Sequence, residues 1–127
     1  MNPNFFIILV LLNICHWAAD FTHLSTDWML NAKRYGKPLY PIFMHALVHA
    51  VLFFGVVFFL DTLDHAVFAG LFQLSTHFFI DLAKGKITFA FRELENPSNK
   101  YHWWLFGFDQ LLHHLVILLT VYWISLN

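Results

Sequence analysis

Four apolar stretches, each close to the length that crosses a bilayer, occupy most of the 127 residues: about 5–22, 41–60, 66–83 and 103–124. A span takes about 20 mostly apolar residues, because a rise of about 1.5 Å per residue must cover about 30 Å of hydrocarbon. Lipid offers no partner to a backbone N–H or C=O, so each stretch predicts a helix that satisfies its own. The expected fold is all-α: an integral membrane four-helix bundle with short interfacial segments, a single four-span transmembrane domain over residues 1–127. Composition agrees, since 59% hydrophobic and 12% charged residues with a mean hydropathy of +0.60 lie outside the range of soluble domains. The opening Met1-Asn2-Pro3-Asn4 lacks the positive region of a secretory signal, and the run after it contains His16 and Asp20, so it reads as a retained span. Asn2 or Asn4 offers it a cap, and Pro3 suits a first turn.

The connections fix the expected topology. Ser25-Thr26-Asp27-Trp28-Met29 reads as the capped start of a short amphipathic segment that lies at the interface and ends at Gly36 and Pro38. Asp61 to His65 is a very short link, so the spans around it are expected to be antiparallel neighbours. Lys84-Gly85-Lys86 is expected to close the third span. The segment to Lys100 alternates weakly through Ile87, Phe89 and Phe91, which suggests an interfacial loop or short hairpin before an Asn96-Pro97 turn. Trp28, Tyr35, Tyr40, Tyr101, Trp103 and Trp104 fit aromatic belts. All seven basic residues fall in two connections, Lys33, Arg34 and Lys37 in one and Lys84, Lys86, Arg92 and Lys100 in the other. With four spans these loops share a side, which the positive-inside rule makes cytoplasmic, with both termini on the other.

Each span also carries one pair of metal-ligand residues at i and i+4: His16 and Asp20, His45 and His49, His77 and Asp81, Asp109 and His113. That spacing aims both members of a pair from one helix face. Counted from the cytoplasmic ends, all eight fall about 5 to 15 Å deep. With alternating directions they sort into two layers, His16, His49, His77 and His113 in one and Asp20, His45, Asp81 and Asp109 in the other. An aspartate in mid-membrane costs about 2.5 to 3.5 kcal/mol. No Lys or Arg lies within an expected span, so a divalent transition metal is the natural counter-ion. Eight donors exceed the needs of one ion, which points to two ions of Zn, Mn or Fe. The bland reading is a hydrogen-bonded or proton-relaying network without metal. Any single pair would favour it; four pairs in register favour metal.

Several neighbours are candidates for orienting these ligands, namely Gln73, Asn13 and Gln110. Gln110 and His114 form an alternative pair rotated by one residue. His23 suits the interface or a ninth ligand, while His65 and His102 are expected to be solvated. Arg34 or Arg92 could grip a substrate phosphate, though topology and anionic headgroups explain them equally. The lone Cys15 excludes a disulfide framework and reads as apolar filler. Nothing suggests nucleic-acid binding, a nucleotide loop or a Ser/His/Asp nucleophile.

The runs His16-Trp17-Ala18-Ala19-Asp20-Phe21, Thr26-Asp27-Trp28-Met29, His45-Ala46-Leu47-Val48-His49, His77-Phe78-Phe79-Ile80-Asp81 and Asp109-Gln110-Leu111-Leu112-His113 together resemble small bacterial and phage membrane proteins grouped as domain-of-unknown-function family 3307. The resemblance implies a bacterial inner-membrane location and no settled activity. From the residues, the leading expectation is a metal-dependent, dinuclear hydrolase acting on a lipid or lipid-linked substrate at the cytoplasmic leaflet, with Asp81 or Asp109 as catalytic base. A di-iron oxygen-using enzyme ranks lower, because the richer His-x-x-His-His clusters are missing. The alternatives from other classes are a divalent metal or proton transporter or sensor, and a bundle with a purely structural metal. Membrane lipids are the expected surroundings, and the sequence leaves the oligomeric state open.

Overall fold

The structure is a computed structural model that describes residues 3–127. It contains five α-helices: α1 (Phe5–Phe21), α2 (Asp27–Tyr35), α3 (Leu39–Leu60), α4 (Leu63–Ala90) and α5 (Lys100–Leu126), with a 3-10 turn at Arg92–Glu95 between the last two. Among the described residues there is no strand. Three of the helices, α3, α4 and α5, are long and apolar enough to cross a membrane; α1 is apolar but shorter, at 17 residues.

Local chemistry sets the helix ends. Asn4 stands at the cap position of α1, and its amide donates to the Leu60 carbonyl at 3.1 Å, tying the start of α1 to the end of α3. The other cap candidate, Asn2, lies outside the described residues, and Pro3 falls in the turn just before the helix. Thr26 caps α2 by accepting from the Met29 N–H at 3.4 Å. Gly36 ends it in the left-handed conformation (φ 68°), where a side chain would be strained. Thr62 caps α4 after a two-residue link from α3, so these two helices form the expected antiparallel hairpin. Asn96 and Asn99 make the predicted turn, and Asn99 caps α5 through the Tyr101 N–H at 3.0 Å.

Two boundaries differ from expectation. Residue 83 does not end the third apolar helix; α4 continues for seven residues to Ala90. Gly85 is a contact point rather than a stop, since a Cβ there would lie 2.4 Å from the Gly36 nitrogen and 2.5 Å from the Lys33 carbonyl oxygen. Backbone thus touches backbone, and α2 packs against α4 instead of lying free. The alternating Ile87 to Phe91 segment is helix as far as Ala90, because an isolated strand would leave its backbone groups unpaired whereas a helix bonds its own. Phe89 packs its ring against Tyr35 of α2, 6.4 Å between centroids.

α1 neighbours α3 and α5, and α4 neighbours the same two, so the four long elements form an up-down ring of antiparallel neighbours. One half of the interior is apolar, built on Ile8, Leu12, Phe53, Val57, Ala66, Ala69, Ile117 and Ile124. The outward faces are also apolar, with Phe6, Trp17, Val51, Phe59, Leu71 and Phe79 among many exposed large side chains. The other half of the interior is polar, and all eight paired ligand candidates lie there.

Candidate metal centre

The i, i+4 pairs aim inward from all four long helices, as the periodicity requires. His45, His49 and His77 are fully buried, His16, His113, Asp81 and Asp109 nearly so, and the Asp20 side chain is 4% exposed. Three groups have donor atoms close enough together to hold an ion: Asp20 with His45, His49 and His77; His16 with His77 and His113; and Asp81 with Asp109 and His113. Every paired residue belongs to at least one group.

The expected layering is visible, but the donor groups cut across it. The rings of His16, His49, His77 and His113 form a continuous tier, with centroids 5.3 Å apart for His16 and His49, 3.6 Å for His49 and His77, and 4.2 Å for His77 and His113. His45 sits with the carboxylates, its Nε2 2.8 Å from Asp20 Oδ1 and 3.6 Å from Asp81 Oδ2. The largest group takes Asp20 and His45 from one tier and His49 and His77 from the other.

Around Asp20 Oδ1 stand the Nε2 atoms of His45, His49 and His77 at 2.8, 3.1 and 3.7 Å. Four ligands at about 2.05 Å from a tetrahedral ion are separated by about 3.3 Å, so this spread brackets the spacing such an ion needs. His77 adds a second indication. Its Nε2 has no hydrogen-bond partner among the described residues, while its Nδ1 lies 3.2 Å from the Gln73 amide nitrogen. Gln73 Oε1 is itself unpartnered among the described residues, so turning the amide over lets His77 Nδ1–H donate to it. The Nε2 lone pair then faces the cluster, as in an oriented metal ligand. The Nδ1 atoms of His16, His45 and His49 have no such partner among the described residues.

The carboxylates do not depend on a metal alone for counter-charge, which corrects the expectation. Lys33 reaches in from α2 and places Nζ 3.3 Å from Asp20 Oδ1, 3.2 Å from Asp81 Oδ2 and 2.9 Å from His45 Nε2. Lys84, on α4 rather than in a connection, lies 3.2 Å from Asp109 Oδ2. Burial pulls the Lys33 ammonium down, but the Asp81 and Asp20 carboxylates outweigh it and hold its pKa above the ordinary lysine value. A signal for Lys33 exists in the sequence: it stands four residues after Met29, a buried residue of α2, and so shares its helix face.

The auxiliary residues separate clearly. Gln110 bridges the centre, its Oε1 3.2 Å from His16 Nε2 and its amide donating to Asp109 Oδ2 at 3.1 Å. His113 is buried, while His114 is exposed with its Nδ1 2.9 Å from Asn13 Oδ1, so the unrotated pair supplies the histidine that joins the cluster. His23 is exposed and takes no part. His65 and His102 are not simply solvated: His65 pairs with Asp61 at 2.9 Å beside Trp123, and His102 Nδ1–H donates to the Leu94 carbonyl at 2.7 Å. Arg34 and Arg92 both pair with Glu95, which knits α2 to the 3-10 turn.

A cavity of about 350 Å³ leads from Asp20 and Asp81 toward the end of the bundle that carries the basic residues. Lys33, Arg34, Lys84, Glu95, His102 and Gln110 supply its polar wall. The arrangement can therefore hold a cation and admit a polar group to it.

The family described as protein of unknown function (DUF3307) matches residues 8–127, and the chain belongs to it. No curated protein and no solved structure matches.

Proposed function

We propose that this DUF3307 protein is a four-span integral membrane metalloprotein, and that it is a metal-dependent hydrolase acting on a lipid or lipid-linked substrate at the cytoplasmic leaflet. The convergence of three imidazole nitrogens on one oxygen of Asp20 carries the metal reading. The membrane reading is supported by the apolar outer faces and by the three helices of spanning length, with α1, at 17 residues, at the lower limit of a span. Both termini are placed on the non-cytoplasmic side, because the basic residues gather at the opposite end.

Asp20, His45, His49 and His77 would hold one divalent ion; Asp81, Asp109 and His113 would hold a second, with His16 beside both. A bound ion of this kind supplies Lewis-acid polarisation of a phosphoryl or acyl oxygen and acidifies water. Asp81 is the better placed general base, since it lines the cavity and Asp109 does not, with Oδ1 toward His113 and Oδ2 toward Lys33, which the cavity also reaches. Asp109 stands behind it, engaged by Lys84 and Gln110, and serves to orient His113. The apolar half of the interior excludes water from the far side and argues against a conducting path, so transport is not favoured.

A second reading rests on Lys33: with two lysines among three aspartates, the cluster is also a largely neutralised ionic network that staples the bundle without metal. Elemental analysis of the detergent-purified protein, prepared without chelator, separates the two. One or more equivalents of a transition metal are expected, and less than about a tenth of an equivalent would leave the staple as the correct reading. Given metal, Asp81→Asn is expected to abolish turnover of a phospholipid or lipid-linked substrate while the fold persists; loss of both points to a structural ion. Flux in liposomes checks transport directly.

A further inference from the structure

We propose that the cavity is a site for a phosphoryl anion that forms only once the centre is metal-loaded, and that Lys33 switches from the carboxylates to that anion as the metal arrives. This rests on the metal reading above. Lys33 Nζ stands against Asp20 Oδ1 and His45 Nε2, two donor atoms of the largest ligand group, and against Asp81 Oδ2. An ammonium and a divalent ion cannot share those atoms, since like charges a few ångströms apart repel strongly in a poorly solvated interior. The lysine stem is flexible, whereas its backbone is pinned against Gly85, so the head can swing while α2 stays in place. The space next to it is the 350 Å³ cavity that Lys33 already lines.

Charge decides what that cavity then accepts. Three carboxylates in the cavity wall, Asp20, Asp81 and Glu95, face three cations, Lys33, Arg34 and Lys84, and Asp109 stands behind the wall against Lys84, so the cavity has no excess positive charge. Its cations are already paired with carboxylates, so an anion gains little in that state. One divalent ion makes the site positive and frees an ammonium, and a second ion increases the excess. Phosphoryl oxygens suit this donor set, which combines point charges from two lysines with the Gln110 amide. The mouth is apolar on one side, where Phe21 of α1 meets Phe106 of α5 with 6.4 Å between ring centroids, which suits a phosphate carried on an acyl or isoprenoid chain.

Calorimetry on the full chain in detergent, stripped with chelator and reloaded with manganese(II), tests this with inorganic phosphate and, in a second arm, a short-chain phosphatidic acid. Phosphate binding is expected only in the loaded protein, and saturating phosphate should tighten manganese by the same factor, about tenfold or more, because coupling between sites is reciprocal. Lys33→Met should move the two affinities in opposite directions, tightening manganese and weakening phosphate by about tenfold each. A merely structural lysine would weaken both. Lys33→Arg, which keeps the charge, should retain phosphate binding. Tighter binding of the phosphatidic acid than of phosphate identifies a headgroup site, and equal binding a soluble phosphate; either supports the anion site. Equal phosphate affinity with and without metal overturns the inference alone, as does Lys33→Met that shifts both affinities the same way. If Lys33→Met fails to fold, wild-type manganese affinity unmoved by phosphate overturns it. No manganese binding in any form overturns the metal reading as well.

Discussion

Gly85→Ala tests how Lys33 reaches the centre. The new Cβ would lie 2.4 Å from the Gly36 nitrogen, 2.5 Å from the Lys33 carbonyl oxygen and 2.8 Å from the Gly36 Cα. All three are backbone atoms, so no rotamer change relieves the overlap. Ordinary contact begins near 3.4 Å, and α2 must therefore retreat by about 1 Å along the closest approach. Overpacking of this kind costs about 1 to 3 kcal/mol. Because Lys33 itself is one of the colliding residues, its stem must extend by about 1 Å to keep its ammonium at the 3.2 and 3.3 Å that now separate it from Asp81 and Asp20. Thermal unfolding in detergent, followed by helical ellipticity, should show a melting point several degrees lower. Gly55→Ala and Gly107→Ala are the controls: a Cβ at either meets nothing within 4 Å, and alanine is the better helix former by about 1 kcal/mol, so both should be neutral or stabilising. A Gly85→Ala protein that melts with the two controls would refute the claim that α2 is seated on α4 by this contact.

Gln73→Leu removes the partner of His77 Nδ1 while filling similar space; metal affinity should fall about 10- to 100-fold by competition with a chromogenic chelator, with little change in helicity. Phe53→Ala, in the apolar half, should lower stability by about 3 to 5 kcal/mol and leave metal stoichiometry unaltered, since Phe53 packs in the apolar core away from the ligand residues. Asp20→Asn should do the reverse, losing metal by elemental analysis at modest cost to the fold if Lys33 stays paired with Asp81.

The sequence alone placed the four apolar helices, apart from the end of α4, with their alternating direction and the eight inward ligand candidates, because periodicity at 3.6 residues depends only on the chain's own backbone. It left His113 and His114 as alternatives, and only packing separated them, the difference of one residue being about 100° around a helix. The interior chemistry was less legible. Lys33 counted as a loop charge in the sequence, yet the fold makes it the closest cation to Asp20 and Asp81, because Gly85 and Gly36 let α2 settle against α4. Gly85 read as a stop for the same reason: the contact that makes glycine necessary lies about fifty residues away in the chain, where no local pattern records it. The two histidine and carboxylate tiers followed from depth along each helix, but the assignment of Asp20 to His45, His49 and His77 followed from how α1 and α4 pack against α3. Periodicity tells which residues share a face; how close two faces come, and which long side chain bends between them, is decided only when the helices pack.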